Sequence, residues 1–186
     1  MTDSTLHTSE LWAVAPADVG SEDAMALLRE YFTEVADRYN WLHNGRGVTP
    51  EEVESVLADW PSEDLAEPAG LFLIGRYGGE AQSCAGLRVR DAETVELTRV
   101  FVRPGLRGTG GGARLLAAVD EAARALGARR IVLDTRFDLV EARALYARHG
   151  YREIPAFSSG PYAQVWCGKD VTSKARGCSS NNSAPD

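Results

Sequence analysis

The segment RVFVRPGLRGTGGGARLL, residues 99–116, decides how the rest of the chain is read. An apolar, strand-like run ends at Val102, Pro104 interrupts it, a glycine-rich loop holding Arg107 follows, and a helical pattern opens toward Leu115 and Leu116. Gly108, Gly110, Gly111 and Gly112 let the backbone curl so that successive amides point at one spot, where a helix N-terminus and Arg107 add positive potential. The segment therefore predicts an anion site between a strand and a helix. No GKS or GKT follows the glycines, which excludes a phosphate loop of the NTPase type.

Working outward, short turns at Gly78-Gly79 and Asp91-Ala92 separate strands predicted at 71–76, 83–90 and 94–102, an antiparallel meander. Upstream, Leu11 to Ala15 reads as a strand and Ser21 as the N-cap of a helix carrying Met25, Leu28, Tyr31, Phe32, Val35 and Tyr39 on one stripe, to about residue 39. A second helix starts at Thr49, with Pro50 at its first position and Glu52 completing a capping box, and ends before Pro61. Downstream come a helix over 110–126, a strand over 130–135, a helix over about 139–149 stopped by Gly150, and short strands near 151–154 and 162–167. The order β-α-α-β-β-β-α-β-α-β-β predicts an α/β fold of the mixed (α+β) kind, a sheet of six to seven strands with helices on both faces.

At 186 residues and 44% hydrophobic composition, one domain of ordinary globular type is expected over residues 11–171. Residues 1–10 are expected to be flexible and residues 172–186, rich in Ser, Asn and Gly, to be a disordered tail. No apolar run has the length of a membrane span and the first residues lack signal-peptide character, so a cytoplasmic protein without membrane association is expected. Cys84, Cys167 and Cys178 and the three histidines show no ligand spacing, so no metal is expected. The net charge of −7 argues against nucleic acid as a partner. It hides a polarity: residues 1–70 carry 15 acids and 3 bases, whereas residues 99–152 carry 11 arginines and 5 acids.

Two patterns compete for the glycines. Gly108, Gly110 and Ala113 fit the dinucleotide fingerprint GxGxxG/A, with Asp134 where a ribose-binding acid belongs. Against it, the five residues RPGLR separate Val102 from Gly108, whereas that fingerprint closes a tight turn directly after its strand. The other pattern is RxxGxG, read as Arg107, Gly110 and Gly112. Here the chain resembles the GNAT superfamily of acyl-CoA-dependent N-acetyltransferases. The run VELTRVFVRPGLRGTGGGARLL, then IVLDT, then EARALYARHGY, between Val95 and Tyr151, matches that superfamily's signature segments in order and spacing.

The resemblance implies a GNAT-like, mostly antiparallel central sheet and acetyl-CoA as co-substrate. It implies that backbone groups of Val100, Phe101 and Val102 bond the pantetheine arm, and that loop amides from Arg107 through Gly108, Thr109, Gly110, Gly111 and Gly112 to Ala113 hold the pyrophosphate. Glu96, eleven positions before Arg107, stands where many members carry a general base. The chemistry needs one, because an amine of pKa near 10.4 costs roughly 4–5 kcal/mol to deprotonate at neutral pH. The competing reading of Glu96 is a solvated strand residue alternating with Val95 and Leu97. Tyr146, in LYARHGY, matches a tyrosine that protonates the leaving thiolate, although Leu139, Ala142 and Tyr146 share a stripe that could simply pack. Two departures stand out: Gly111 replaces a usual aliphatic residue, at a cost of about 1 kcal/mol in helix propensity, and Leu139 replaces a common asparagine.

The activity so implied is transfer of an acetyl group to a primary amine by direct attack, with Cys84 and Cys167 having no evident activating partner. The acidic N-terminal segment points to a small cationic acceptor, with Tyr31, Asp37, Tyr39 and Trp41 as candidate lining residues. A monomer or homodimer is expected. The alternatives are a non-catalytic acyl-CoA sensor or interaction domain and a small NAD-binding oxidoreductase.

Overall fold

The computed structural model describes residues 11–172. The expectations for residues 1–10 and for the tail beyond residue 172 lie outside them. The chain runs β1 (Trp12–Pro16), α1 (Glu22–Asn44), α2 (Pro50–Asp59), β2 (Gly70–Tyr77), β3 (Glu80–Val89), β4 (Thr94–Val102), α3 (Gly111–Ala125), β5 (Arg130–Thr135), α4 (Val140–Arg148), β6 (Arg152–Glu153) and β7 (Val165–Asp170), with one-turn 3-10 helices at Glu63–Leu65 and Pro104–Leu106. The seven strands form one sheet in the order β1-β2-β3-β4-β5-β7-β6. Every pairing is antiparallel except β4 with β5.

Two apolar clusters sit on opposite faces of this sheet. One joins Leu87, Val95, Leu97, Ile131 and Leu133 of the strands to Leu115, Leu116, Val119 and Ala123 of α3 and to Tyr146 of α4. The other joins Phe72, Ile74, Cys84 and Phe101 to Ala24, Leu27 and Leu28 of α1. Helices thus cover both faces, as the element order predicts. Among the described residues no helix is long and apolar enough to cross a membrane.

The helix starts follow the capping chemistry read from the sequence. Ser21 accepts a hydrogen bond from the Ala24 amide, and Thr49 and Glu52 form a reciprocal capping box. The end of α1 differs from expectation: it runs to Asn44, five residues past Tyr39, and stops at Gly45, which takes a left-handed conformation. Its last turns bury nothing, with Trp41 60% and Leu42 64% exposed, so apolar periodicity had no reason to report them. Met25 is also exposed, and Ala24 and Leu27 take the buried positions. The final strands shift as well, because residues 155–164 form a loop before β7 starts at Val165.

Candidate active site

β4 and β5 pair only between Thr94–Glu96 and Arg130–Val132, then diverge. Beyond Glu96, one edge of β4 stays paired to β3 while the other faces open space among the described residues. A cleft of about 970 Å³ opens along that divergence, bounded by α1 and α2, the glycine loop, the start of α4 and the loop before β7. That is the size of a cofactor site, and its unpaired strand edge can take up an extended amide-bearing chain as an added strand.

Most of the residues singled out in the sequence meet here. Glu96, Val100, Phe101, Val102, Arg107, Gly108, Gly110, Gly112, Ala113 and Tyr146 all line the cleft. Gly110 caps α3 at φ 92°, a conformation that a side chain strongly disfavours. Among the described residues the Gly108 and Gly110 amides have no acceptor, and the first amides of α3 have none within their helix, so these donors fit an anionic group.

Two loop positions do a different job. The Thr109 amide is engaged by Leu106 O at 3.4 Å, and its hydroxyl donates to the same oxygen at 2.7 Å while accepting from Trp12 Nε1 at 3.0 Å. A Cβ on Gly111 would lie 2.4 Å from the indole of Trp12, which is 1% exposed. The sequence reads Gly111 as a departure that loosens the helix; the packing explains it, because only glycine lets α3 begin against that ring. Thr109 and Gly111 therefore anchor the loop from behind and do not line the cleft.

Arg107 is also more committed than its sequence position implies. Its Nε donates to Val102 O at 2.9 Å and its other end pairs with Glu34 at 2.6 Å. Nearby, Arg103 pairs with Glu30 at 2.7 Å, and elsewhere Arg76 pairs with Asp23 and Arg88 with Asp64. Four acids of the N-terminal segment, Asp23, Glu30, Glu34 and Asp64, are thus paired with arginines from later in the chain. Asp37 accepts from the Val48 amide and Trp41 points outward, so neither lines the cleft, whereas Tyr31 and Tyr39 do.

Glu96 is not a solvated strand residue. It is 9% exposed, and its oxygens accept from Arg88 at 3.3 Å and Arg90 at 2.8 Å. Across the divergence stands Asp134, whose Oδ2 accepts from Ser158 Oγ at 2.8 Å; Trp166 Nε1 in turn donates to Ser158. Burial pushes the Asp134 carboxyl above its ordinary value, a pull the Ser158 bond opposes and the nearby Glu96 charge reinforces. Sequence reasoning weighed Asp134 only as a ribose acid and passed over Arg88, Arg90 and Ser158. The period-2 alternation of Leu87, Arg88, Val89 and Arg90 is the signal that the sequence carries for the two arginines, and the structure sets Arg88 opposite Glu96.

Tyr146 is 7% exposed, and its phenol is pushed well up, first by burial. It therefore stays protonated across the physiological range, the state a proton donor needs. Burial also pushes the Cys84 and Cys167 thiols up, the opposite of an activated nucleophile. Leu139 lines the cleft, and α4 has no side-chain hydrogen bond at its N-cap.

The dinucleotide reading of the glycines fails on topology. The unit β4-α3-β5 is parallel but stands alone in an otherwise antiparallel sheet, and its two strands diverge instead of continuing a doubly wound array. Comparison with known proteins points the other way. Residues 22–151 match the model of the acetyltransferase (GNAT) family. The chain is 32% identical over 122 residues to an IAA acetyltransferase of Azospirillum brasilense, covering 60% of this chain and 78% of that one. It is 30% identical over 165 residues to the mycothiol acetyltransferase of Beutenbergia cavernae, covering 78% of this chain and 56% of the longer relative. A GNAT family acetyltransferase from Elizabethkingia anophelis, solved with acetyl-CoA bound, shares the fold with a TM-score of 0.56 at 18% identity, over 87% of this chain and 99% of that one. An acetyltransferase of the same family from Staphylococcus aureus aligns over the same shares with a TM-score of 0.62 at 16% identity. With half its sheet splayed around a glycine loop and a family match across that whole region, the chain belongs to the GNAT acetyltransferase family and is an acetyl-CoA-dependent acyltransferase.

Proposed function

We propose that residues 11–171 form a single N-acetyltransferase domain that moves the acetyl group of acetyl-CoA to a primary amine of a small molecule by direct attack, acting as a monomer or homodimer. The observation that carries this reading is the convergence, in one cleft, of an unpaired strand edge, unbonded loop amides and the carboxylates of Glu96 and Asp134. The open edge of β4 along Val100, Phe101 and Val102 bonds the pantetheine arm. The amides of Gly108, Gly110, Gly112 and Ala113 hold the pyrophosphate, with Arg107 adding charge and Thr109 and Gly111 fixing the loop. An incoming ammonium is cationic whatever the rest of the molecule carries, and it meets Glu96 and Asp134 at the cleft.

Glu96 accepts the amine's proton, through water. The free amine attacks the thioester carbon, the C–N bond forms as the C–S bond breaks, and Tyr146 gives its proton to the departing sulfur. Asp134 is the second carboxylate within reach of that proton. Its raised pKa brings it closer to the working pH than an ordinary carboxyl, so it shares the base role with Glu96.

The test is thiol release from acetyl-CoA over a panel of primary amines, with the N-acetyl product counted by mass spectrometry. One-to-one thiol and product, with kcat lowered about 10²- to 10⁴-fold in E96Q or D134N and acetyl-CoA affinity retained, is the expected result. Acetyl-CoA binding without turnover on any amine would favour the sensor reading. If only E96Q loses activity, Asp134 has no base role.

A further inference from the structure

We propose that the acceptor carries a carboxylate besides the amine that is acetylated, and that Arg99 binds it; the proposal rests on amine acetylation in this cleft. Among the described residues three charged side chains are buried: Glu96, Arg99 and Arg136. Glu96 has Arg88 and Arg90, and Arg136 has both oxygens of Asp138 at 2.8 Å. Arg99, 8% exposed, has no carboxylate within ion-pair distance among the described residues. Its hydrogen bonds go to neutral oxygens and are long, 3.4 Å to Ser62 Oγ and 3.3 Å each to Thr98 Oγ1 and Trp60 O. Its remaining compensation is the faces of Phe32 and Tyr31, at 4.6 and 6.0 Å. A guanidinium cannot shed its proton, so burial without an anion leaves a standing charge that a bound oxyanion would satisfy.

The backbone shows why that charge faces the cleft. Val95 and Leu97 point to the α3 face of the sheet, so unbroken alternation would send Arg99 and Phe101 there too. Instead the register with β3 shifts between Cys84 and Gly86, and Arg99 takes φ 55°, the one non-glycine residue with positive φ among those described. The bulge turns Arg99 and Phe101 to the α1 face, the side of the cleft. A side chain held in that strained conformation, buried, charged and without an anion, marks a position kept for a ligand. Trp60 and Tyr162, their rings 6.1 Å apart and partly exposed, line the adjoining wall. They suit an apolar body between amine and carboxylate, as in a hydrophobic amino acid.

The experiment compares phenylalanine with phenylalaninamide and 2-phenylethylamine as acceptors, and follows binding of 3-phenylpropanoate, which has the carboxylate but no amine. The expected result is a kcat/KM about 10- to 100-fold higher for the amino acid in the native enzyme. That ratio collapses toward one in R99Q and is partly restored in R99K, and 3-phenylpropanoate binds the native protein but not R99Q that still binds acetyl-CoA. Loss in R99Q that is equal for all three acceptors, or native preference for the uncharged amines, overturns the proposal. Should no amine be acetylated, the N-acetyltransferase reading fails, and 3-phenylpropanoate binding that R99Q leaves unchanged overturns the Arg99 assignment by itself.

Discussion

Gly111 shows how one residue can be misjudged from sequence and still be in the right motif. Helix propensity alone favours G111A by about 1 kcal/mol. The Trp12 indole reverses the sign, because the new methyl would lie 2.4 Å from a ring carbon of a fully buried side chain. Overpacking of this kind costs about 1–3 kcal/mol, so G111A is expected to lower stability by about 1–2 kcal/mol in chemical denaturation. A stabilised variant would refute the packing account. Trp12 lies 99 positions before Gly111, and no local pattern reports a contact of that range. A separation of 73 positions likewise hid the acids that claim Arg103 and Arg107, Glu30 and Glu34 of α1. Gly110, Glu96 and Tyr146 were legible because a spacing motif carries them.

At the scale of elements, strands and helix starts followed turn and capping chemistry closely, while the divergence of β4 from β5 did not show in the sequence. Alternation tells which residues face which side of a strand, and says nothing about where a neighbour stops pairing. Helix α4 is held to α1 by a bidentate pair, Arg38 with Glu141, at 3.0 Å for both bonds. That pair pulls the Glu141 carboxyl from 4.5 down to about 2. A carboxyl lowered on folding stabilises the protein above its unfolded value and loses that contribution as pH falls from about 4.5 toward 2. The side chain is 64% exposed, so the gain is small. E141Q is expected to cost about 0.5 kcal/mol at neutral pH and nothing near pH 2, measured by urea unfolding at the two pH values. An equal loss at both would show that Glu141 acts through something other than its charge.

Across the whole molecule, the opposite charges of the two segments serve each other. Acids of α1 and its neighbourhood dock onto arginines of β2, β3 and the segment after β4, which ties the N-terminal helices to the sheet. Inside the cleft, the loop amides and the buried Arg99 have no anionic partner among the described residues. The central claim is that this loop and the open edge of β4 hold acetyl-CoA. Calorimetric titration of the native protein and of G110V tests it most directly, because a branched side chain at φ 92° strains the loop by about 1–3 kcal/mol without touching either core cluster. Saturable binding at one site, weakened at least about tenfold in a G110V protein that retains its circular dichroism, is the predicted result. Native protein that takes up no acetyl-CoA, or a variant that binds it with unchanged affinity, would contradict the account.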